Sequence, residues 1–167
     1  MNRTMKLNYR TASIADAERL KKLGLISYGR FQEALGAHWK TMKSSIEEMD
    51  YIHFLSYAQG FVCETENDII GMAFLIPSGH PTDIFPSDAS YIRLIGVHPD
   101  YDGKGIGKKL TVMCIDFAKE IKETTLMLHT SEFQNVARHI YETLGFVRIK
   151  DLPKKFGKQY YLYRLPL

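Results

Sequence analysis

The chain has 167 residues, of which 45% are hydrophobic and 12% aromatic, a composition that indicates a folded domain with a core and excludes a disordered chain. The formal net charge of +3 is mild, which favours an anionic small ligand over a nucleic-acid backbone as the partner. Only two cysteines occur, and Cys114 has core spacing on a predicted helix, so we expect both Cys63 and Cys114 to be buried reduced thiols.

The N-terminal part of the chain begins with a strand pattern and continues as a helix. Residues 6–10 alternate between polar and apolar side chains, as a strand does. Ser13 and Asp16 have the spacing of a capping box, which predicts that a helix begins there. We expect its apolar side chains, Ile14 and Leu20 among them, to point inward.

Glycines and serines predict where the next helices end and begin. Gly24 and Gly29 are expected to interrupt the helical pattern, leaving short helical pieces after them. Ser44 or Ser45 is expected to start another helix. Its inner face would carry three apolar side chains, Ile46, Met49 and Ile52.

Strand patterns dominate the middle of the chain. The run F-V-C-E-T after Gly60 and the run I-I-G-M-A-F-L-I are separated by a short polar turn, which predicts a hairpin. A loop rich in Pro, Ser and Asp covers residues 77–88, and a further strand is expected at residues 91–97.

The C-terminal part adds helices and strands in alternation. A helix with Leu110, Cys114 and Ala118 on its inner face follows residues 103–107. The remaining predicted elements are a strand at 125–129, a helix at 135–144, and strands at 146–150 and 160–164 that are joined by a Pro/Lys/Gly loop. These elements predict an α/β (α+β) fold with a mixed sheet of about seven strands and helices on both faces.

Nothing in the sequence divides the chain or directs it to a membrane. No linker, repeat or low-complexity tract occurs, so we expect a single domain over residues 1–167. The N-terminal residues lack the apolar region of a signal peptide, and no apolar stretch approaches membrane-spanning length. We therefore expect a cytoplasmic protein without a membrane partner.

The most informative motif is G-K-G-I-G at residues 103–107, between a predicted strand and a basic helix. Glycine leaves the backbone N–H groups open to close approach, and the helix points its positive N-terminal end at the same place. This arrangement predicts a phosphate or pyrophosphate site. The alternative is a glycine-rich turn with no ligand, although a single turn rarely needs three glycines.

Two common glycine motifs are excluded by their spacing. In a P-loop aligned on Gly107 and Lys108, the first glycine would be Asp102 and the Ser or Thr would be Lys109. In a dinucleotide fingerprint that starts at Gly103, the third glycine would be Lys108. The sequence therefore argues against both a magnesium-nucleotide site and a dinucleotide site. The histidines and cysteines also lack metal-ligand spacing, and we expect no metal.

The order strand, P-x-Y-x-G-K-G-I-G-K-K-L helix, strand and N-x-A-x-x-x-Y-x-x-L-G-F resembles the GCN5-related N-acetyltransferase (GNAT) superfamily. The residues that carry the resemblance are Val97, Pro99, Tyr101, Gly103, Gly105, Gly107, Leu110, Asn135, Ala137, Tyr141, Leu144, Gly145 and Phe146. The resemblance implies a mostly antiparallel sheet with a central splay. It spans most of the chain, but residues 20–60 carry no usable likeness.

The resemblance also implies acetyl-CoA as co-substrate. In the family, loop amides bind the pyrophosphate, the splayed strand pairs with the pantetheine arm, and the next helix faces the cofactor. The matching cofactor residues here are Ile95, Gly96, Val97, Asp102, Gly103, Lys104, Gly105, Ile106, Gly107, Lys108 and Asn135. Asp102 departs from the family's Gln or Arg, and we expect weaker binding at most, with Lys104 and Lys108 compensating.

The implied reaction is direct attack of a primary amine on the thioester. The resemblance implies that Tyr141 gives a proton to the leaving thiolate; the alternative is that Tyr141 only packs against the sheet. The amine must arrive neutral, but Tyr91 and Arg93 stand where relatives often place a Glu or His, and neither suits a base. His129 is an open alternative.

The acceptor is predicted from the splayed strand and the aromatic residues before it. Alternation would place Arg93 on the same side as Tyr91 and Ile95, and Tyr28 and Phe31 would supply apolar walls. An arginine among aromatics suits a small amine that carries a carboxylate and repels a polycation. A protein N-terminus remains open as the acceptor.

Two other classes of protein remain open. One is a catalytically weak CoA-binding module that serves regulation or assembly. The other is a binding domain for protein or nucleic acid, for which the basic helix is too poor in lysine and too rich in acids. We expect no nucleic-acid partner, and a homodimer remains open.

Overall fold

The computed structural model describes residues 5–167 of the chain. The strands are β1 (Asn8–Thr11), β2 (Gln59–Glu64), β3 (Ile69–Ile76), β4 (Ser90–Val97), β5 (Thr125–Ser131), β6 (Val147–Lys155) and β7 (Lys158–Pro166). The α-helices are α1 (Ala17–Gly29), α2 (Gln32–Leu35), α3 (Trp39–Glu47), α4 (Tyr51–Leu55), α5 (Ile106–Glu120) and α6 (Asn135–Thr143). Among these residues, none of the helices is long and apolar enough to cross a membrane.

All seven strands form one sheet in the order β1-β2-β3-β4-β5-β7-β6. Every neighbouring pair is antiparallel except β4 and β5, which run parallel. These two strands pair only at Ser90 with Leu126 and at Tyr91 with Met127. Beyond Tyr91 they diverge, so the predicted mostly antiparallel sheet with a central splay is confirmed.

Helices cover both faces of the sheet, as predicted. Leu20 and Leu23 of α1 pack with Phe74 of β3 on one face. Leu110 and Cys114 of α5 pack against the other face, in a cluster that includes alternate residues of β3. Because both faces of β3 are covered, all eight of its residues are buried. Both cysteines are buried and free, and burial raises the pKa of the Cys114 thiol above its usual range.

Two expectations for the first helix are wrong. Gly24 does not interrupt α1 but lies inside it, where a Cβ atom would come within 3.1 Å of the Ile46 side chain and the Tyr51 hydroxyl. The glycine therefore permits close approach of α3 and α4 to α1. Ile14 is 62% exposed, because the first turn is a 3-10 helix over Ile14–Asp16 that points its side chain outward.

Two later boundaries also differ from the predictions. No helix starts at Ser44 or Ser45, because both residues lie inside α3, which begins at Trp39. A separate helix, α4, follows, since Asp50 caps it by accepting a hydrogen bond from the His53 N–H, and Ile52 is 57% exposed. The loop expected between the last two strands is a tight turn at Phe156 and Gly157, because β6 and β7 pair up to Lys155 and Lys158.

A buried carboxylate ties the first strand to the first helix. Asp16 is 2% exposed and accepts hydrogen bonds from Arg10 at 2.8 and 2.9 Å, from Arg19 at 2.7 Å and from the Ser13 backbone N–H at 2.8 Å. The Ser13 bond completes the predicted capping box. The hydrogen bonds from Arg10, followed by those from Ser13 and Arg19, hold the pKa of the Asp16 carboxyl well below its usual range.

We expect Asp16→Asn to lower the free energy of unfolding at pH 7 by about 2–3 kcal/mol, because the arginines lose a buried counter-charge. Urea denaturation would measure the loss. As the control, Asp68→Asn should change stability by less than about 0.5 kcal/mol, because Asp68 is exposed and its ion pair with Lys22, at 3.7 Å, lies on the surface. The pKa of Asp16 is lowered by folding, so its contribution is complete above about pH 4 and is lost as the pH falls further. A difference between wild type and variant that already shrinks between pH 7 and pH 5 would contradict this assignment.

Candidate functional site

The site is built around the place where β4 leaves β5. Leu94 has a φ of 54°, and the register shifts so that Ala73 of β3 faces both Leu94 and Ile95. This bulge turns the strand over, so that Leu94 packs on the α1 side and Ile95 on the α5 side. The expectation that Arg93 and Ile95 share a side is therefore wrong, because strict alternation fails at the bulge.

A cleft of about 460 Å³ opens beside the glycine motif. It runs from the end of β4 along the first turn of α5 to the first turn of α6. All of the predicted cofactor residues except Lys104 line it, namely Ile95, Gly96, Val97, Asp102, Gly103, Gly105, Ile106, Gly107, Lys108 and Asn135. Lys104 is exposed and lies outside the cleft lining.

The glycine motif forms the start of α5. Gly103 and Gly105 have φ values of 73° and 75°, a left-handed conformation that glycine adopts without strain. Gly105 is the residue that precedes the helix, so the N–H groups of Ile106, Gly107 and Lys108 have no partner within the helix. These N–H groups and the positive end of the helix dipole favour an anion in the cleft.

The acidic residue of the motif has a partner that the sequence does not reveal. Arg30, just after α1, donates from Nη1 to both carboxylate oxygens of Asp102 at 3.1 and 2.9 Å. It also donates from Nη2 to the carbonyl of Val97 at 2.6 Å and from Nε to the carbonyl of Ser27 at 3.0 Å. Arg30 rather than Lys104 therefore offsets the charge of Asp102 and connects α1 to the end of β4.

A second, smaller cavity of about 160 Å³ lies on the other side of the splay. Its charged and aromatic lining includes Arg93 of β4, His129 of β5, and Lys155 and Phe156 at the end of β6. Burial, followed by the charges of Lys155 and Arg93, lowers the pKa of His129 to about 4. His129 is therefore neutral at pH 7 and too weak a base to deprotonate an ordinary amine.

The two cavities meet at a group of residues that line both, namely Tyr28, Ile95, Phe133, Gln134 and Tyr141. Tyr28 donates its hydroxyl to the carbonyl of Ile95 at 3.3 Å. Tyr141 of α6 is 6% exposed as a residue, and within residues 5–167 its hydroxyl makes no hydrogen bond although it lies where both cavities reach it. Burial raises the pKa of Tyr141 above its usual range, so the phenol stays protonated at neutral pH.

The predicted acceptor residues do not all come together. Tyr28 and Arg93 line the smaller cavity, whereas Phe31 lines the larger cleft, with its ring 4.9 Å from that of Phe133. Tyr91 lines neither: its ring stacks on Phe85 at 4.2 Å and its hydroxyl donates to the carbonyl of His80 at 2.8 Å. Tyr91 thus lies apart from the other predicted acceptor residues, because this aromatic pair buries it.

Several residues of the site could not be predicted from the sequence, among them Arg30, Phe133, Gln134, Lys155 and Phe156. Lys155 ends β6 and Phe156 begins the turn to β7, a stretch for which the sequence predicts a loop. Arg30 lies within residues 20–60, where no usable likeness is visible in the sequence alone. No local signal marks these positions, since long-range packing alone brings them to the cavities. Within residues 5–167, no group of three His, Cys, Asp or Glu side chains is placed to hold a metal ion.

Comparison with known proteins agrees with this geometry. The family model of the acetyltransferase (GNAT) family matches residues 30–146. The probable N-acetyltransferase camello of Xenopus tropicalis is 28% identical over 147 residues, which are 83% of this chain and 65% of that protein. The chain thus spans just under two thirds of that relative's length.

Two solved structures share the fold over almost the whole chain. The PaiA N-acetyltransferase of Thermoplasma acidophilum, in complex with coenzyme A, has a TM-score of 0.77 at 16% identity and covers 98% of this chain and 100% of that one. The putative acetyltransferase yncA of Salmonella typhimurium, with acetyl-CoA, has a TM-score of 0.69 at 20% identity and covers 96% and 93%. This chain belongs to the GNAT acetyltransferase family, whose co-substrate is acetyl-CoA.

Proposed function

We propose that this protein transfers the acetyl group of acetyl-CoA to the primary amine of a small molecule. The observation that carries the proposal is the meeting of the two cavities at Tyr141. The larger cleft suits CoA, because it combines a helix N-terminus for the pyrophosphate with the open edge of β4 for the amide-bearing pantetheine arm. The smaller cavity suits the amine.

The reaction follows from this arrangement. The nitrogen of a neutral amine attacks the thioester carbonyl carbon, the carbon–sulfur bond breaks, and the sulfur leaves as a thiolate. Tyr141 gives its proton to that thiolate, since it lines both cavities and its hydroxyl makes no competing hydrogen bond among residues 5–167. The proton that the nitrogen loses passes to water, and solvent restores the phenol.

A small acceptor is favoured over a polypeptide by the size of the smaller cavity. Its volume of about 160 Å³ lies below the roughly 300–1,000 Å³ of pockets that hold drug-sized ligands. The test is release of free thiol from acetyl-CoA in the presence of single amines, with the acetylated product identified by mass spectrometry. Tight CoA binding without amine-dependent thiol release from any acceptor would favour the regulatory module instead.

We expect Arg30→Ala to raise the Kd for CoA about tenfold, because Asp102 then presents an unpaired carboxylate to the pyrophosphate. Calorimetry with CoA would measure the change. The double variant Arg30→Ala/Asp102→Ala should recover most of the affinity, since the repelling charge is gone. If the double variant binds as weakly as the single one, Arg30 acts on the cofactor or on β4 directly and not by offsetting Asp102.

A further inference from the structure

Two cationic side chains line the smaller cavity, and neither has an anionic partner among the described residues. Arg93 comes from β4 and Lys155 from the end of β6. Within residues 5–167, neither side chain forms an ion pair or a hydrogen bond, and no Asp or Glu lines the cavity. Both residues are exposed, so a ligand can reach them.

The charges of these two residues act on the same space. Partial loss of hydration, followed by the charge of Arg93, lowers the pKa of Lys155. Both cations contribute to the lowered pKa of His129, which also lines the cavity. Each cation lies near an aromatic ring, with the Arg93 guanidinium 5.9 Å from the ring centre of Phe54 and the Lys155 ammonium 5.2 Å from that of Phe156. Two like charges without a counter-ion are unfavourable in the free protein, and an anionic ligand would relieve the repulsion.

We propose that the acceptor is a small amine that also carries two negative charges, one for Arg93 and one for Lys155. The proposal rests on the proposed acetyl transfer and names the substrate class of the same cavity. A guanidinium and an ammonium from separate strands can bind two carboxylates or one phosphate. The same field repels polyamines and lysine-rich peptides, which would bring further positive charge.

Arg93 and Lys155 also favour the neutral form of the acceptor amine. An ammonium group that enters beside them meets like charge, which lowers its pKa and favours the neutral amine needed for attack. The anionic groups of the acceptor offset the cost of bringing that amine into a positive cavity. The site can therefore favour the neutral nucleophile without a strong base, in agreement with the weak basicity of His129.

The experiment compares matched acceptors by amine-dependent thiol release. L-glutamate, L-aspartate and O-phospho-L-serine each carry one more anionic group than L-glutamine, L-asparagine and L-serine. We expect at least one acidic member to exceed its neutral partner in kcat/KM by about tenfold or more. A higher kcat/KM for L-glutamate or L-aspartate than for O-phospho-L-serine would indicate a site for two carboxylates, and the reverse would indicate a site for phosphate.

Variants that each remove one positive charge test whether Arg93 and Lys155 cause the preference for acidic acceptors. Lys155→Gln should reduce the preference for the acidic acceptor about tenfold and leave the KM for acetyl-CoA unchanged. Arg93→Gln should raise the KM of the acidic acceptor by a similar factor, again without affecting acetyl-CoA. Lys154→Gln removes the same charge from the neighbouring position of β6, outside the cavity lining, and should behave as wild type.

Several results would overturn the proposal. One is that the best acceptor is a neutral amino acid, a polyamine or an acidic peptide. Another is that the Lys155→Gln variant behaves as the Lys154→Gln variant does. If no amine is acetylated, calorimetry with the CoA-loaded protein decides, because binding does not need catalysis. Tighter binding of N-acetyl-L-glutamate than of N-acetyl-L-glutamine, lost in Lys155→Gln, would support the dianion site while contradicting the proposed transfer. Equal or absent binding of the two would contradict the dianion site itself.

Discussion

Gly107→Leu is expected to weaken CoA binding at least about 100-fold, since overpacking of about 3 kcal/mol corresponds to that factor. Gly107 lies in the first turn of α5, and a Cβ atom there would point toward Val97 at 3.6 Å and Ile140 at 3.9 Å, two residues that line the cleft. A leucine would extend from that Cβ into the space that the cofactor needs. Calorimetry with CoA measures the loss.

This substitution is a cleaner test than one at Gly103 or Gly105. Those two glycines have positive φ values, so any side chain would strain the loop and mix a folding defect with a binding defect. Gly107 has no such constraint, and the distances to its neighbours are ordinary contacts. Gly107→Ala should therefore fold normally and lose much less affinity than Gly107→Leu. Unchanged CoA affinity in a folded Gly107→Leu protein would contradict the assignment of the larger cleft as the CoA site.

Tyr141→Phe is expected to lower kcat by about 10- to 100-fold, at the low end of general-acid effects, while the Kd for acetyl-CoA barely changes. The change removes only the hydroxyl, which lies at the junction of the two cavities without a hydrogen-bond partner among residues 5–167. Burial raises the pKa of Tyr141, so we expect the wild-type rate to show no loss from phenol ionisation up to at least about pH 10.

Tyr91→Phe is the matched control for this prediction. Tyr91 is equally buried, but its hydroxyl donates to the carbonyl of His80, away from both cavities. Steady-state kinetics with the preferred acceptor should show a kcat close to that of wild type for Tyr91→Phe. If Tyr141→Phe is no slower than Tyr91→Phe, Tyr141 only packs in the core and another group protonates the thiolate.

The two proposals about the cavities depend on different residues and can fail separately. Gly107 and Arg30 concern the cofactor cleft, and neither lines the smaller cavity. Lys155 and Arg93 concern the smaller cavity, and neither lines the cleft. A protein that binds CoA but acetylates neutral amines would leave the transfer reaction intact and exclude the dianionic acceptor. Tyr141 is common to both cavities, so its variant alone reports on the chemical step.

The sequence by itself determined the parts of this protein that depend on local geometry. Gly103 and Gly105 occupy left-handed positions before a helix, and only a few residue types permit that conformation. The hairpin of β2 and β3 follows from apolar runs on either side of a polar turn. The residues predicted to bind the cofactor follow from the resemblance to the family, and most of them lie within the glycine motif or directly beside it.

Tertiary structure alone decided the acceptor side of the site. The bulge at Leu94 redirects Ile95, and the stack on Phe85 buries Tyr91. The pairing of β6 with β7 places Lys155 in the same cavity as Arg93 of β4. Arg30 and Asp102 are 72 positions apart, yet their side chains form an ion pair in which Nη1 of Arg30 donates to both carboxylate oxygens. None of these contacts has a local signature, because each depends on how separate elements pack and not on the residues next to it in the chain.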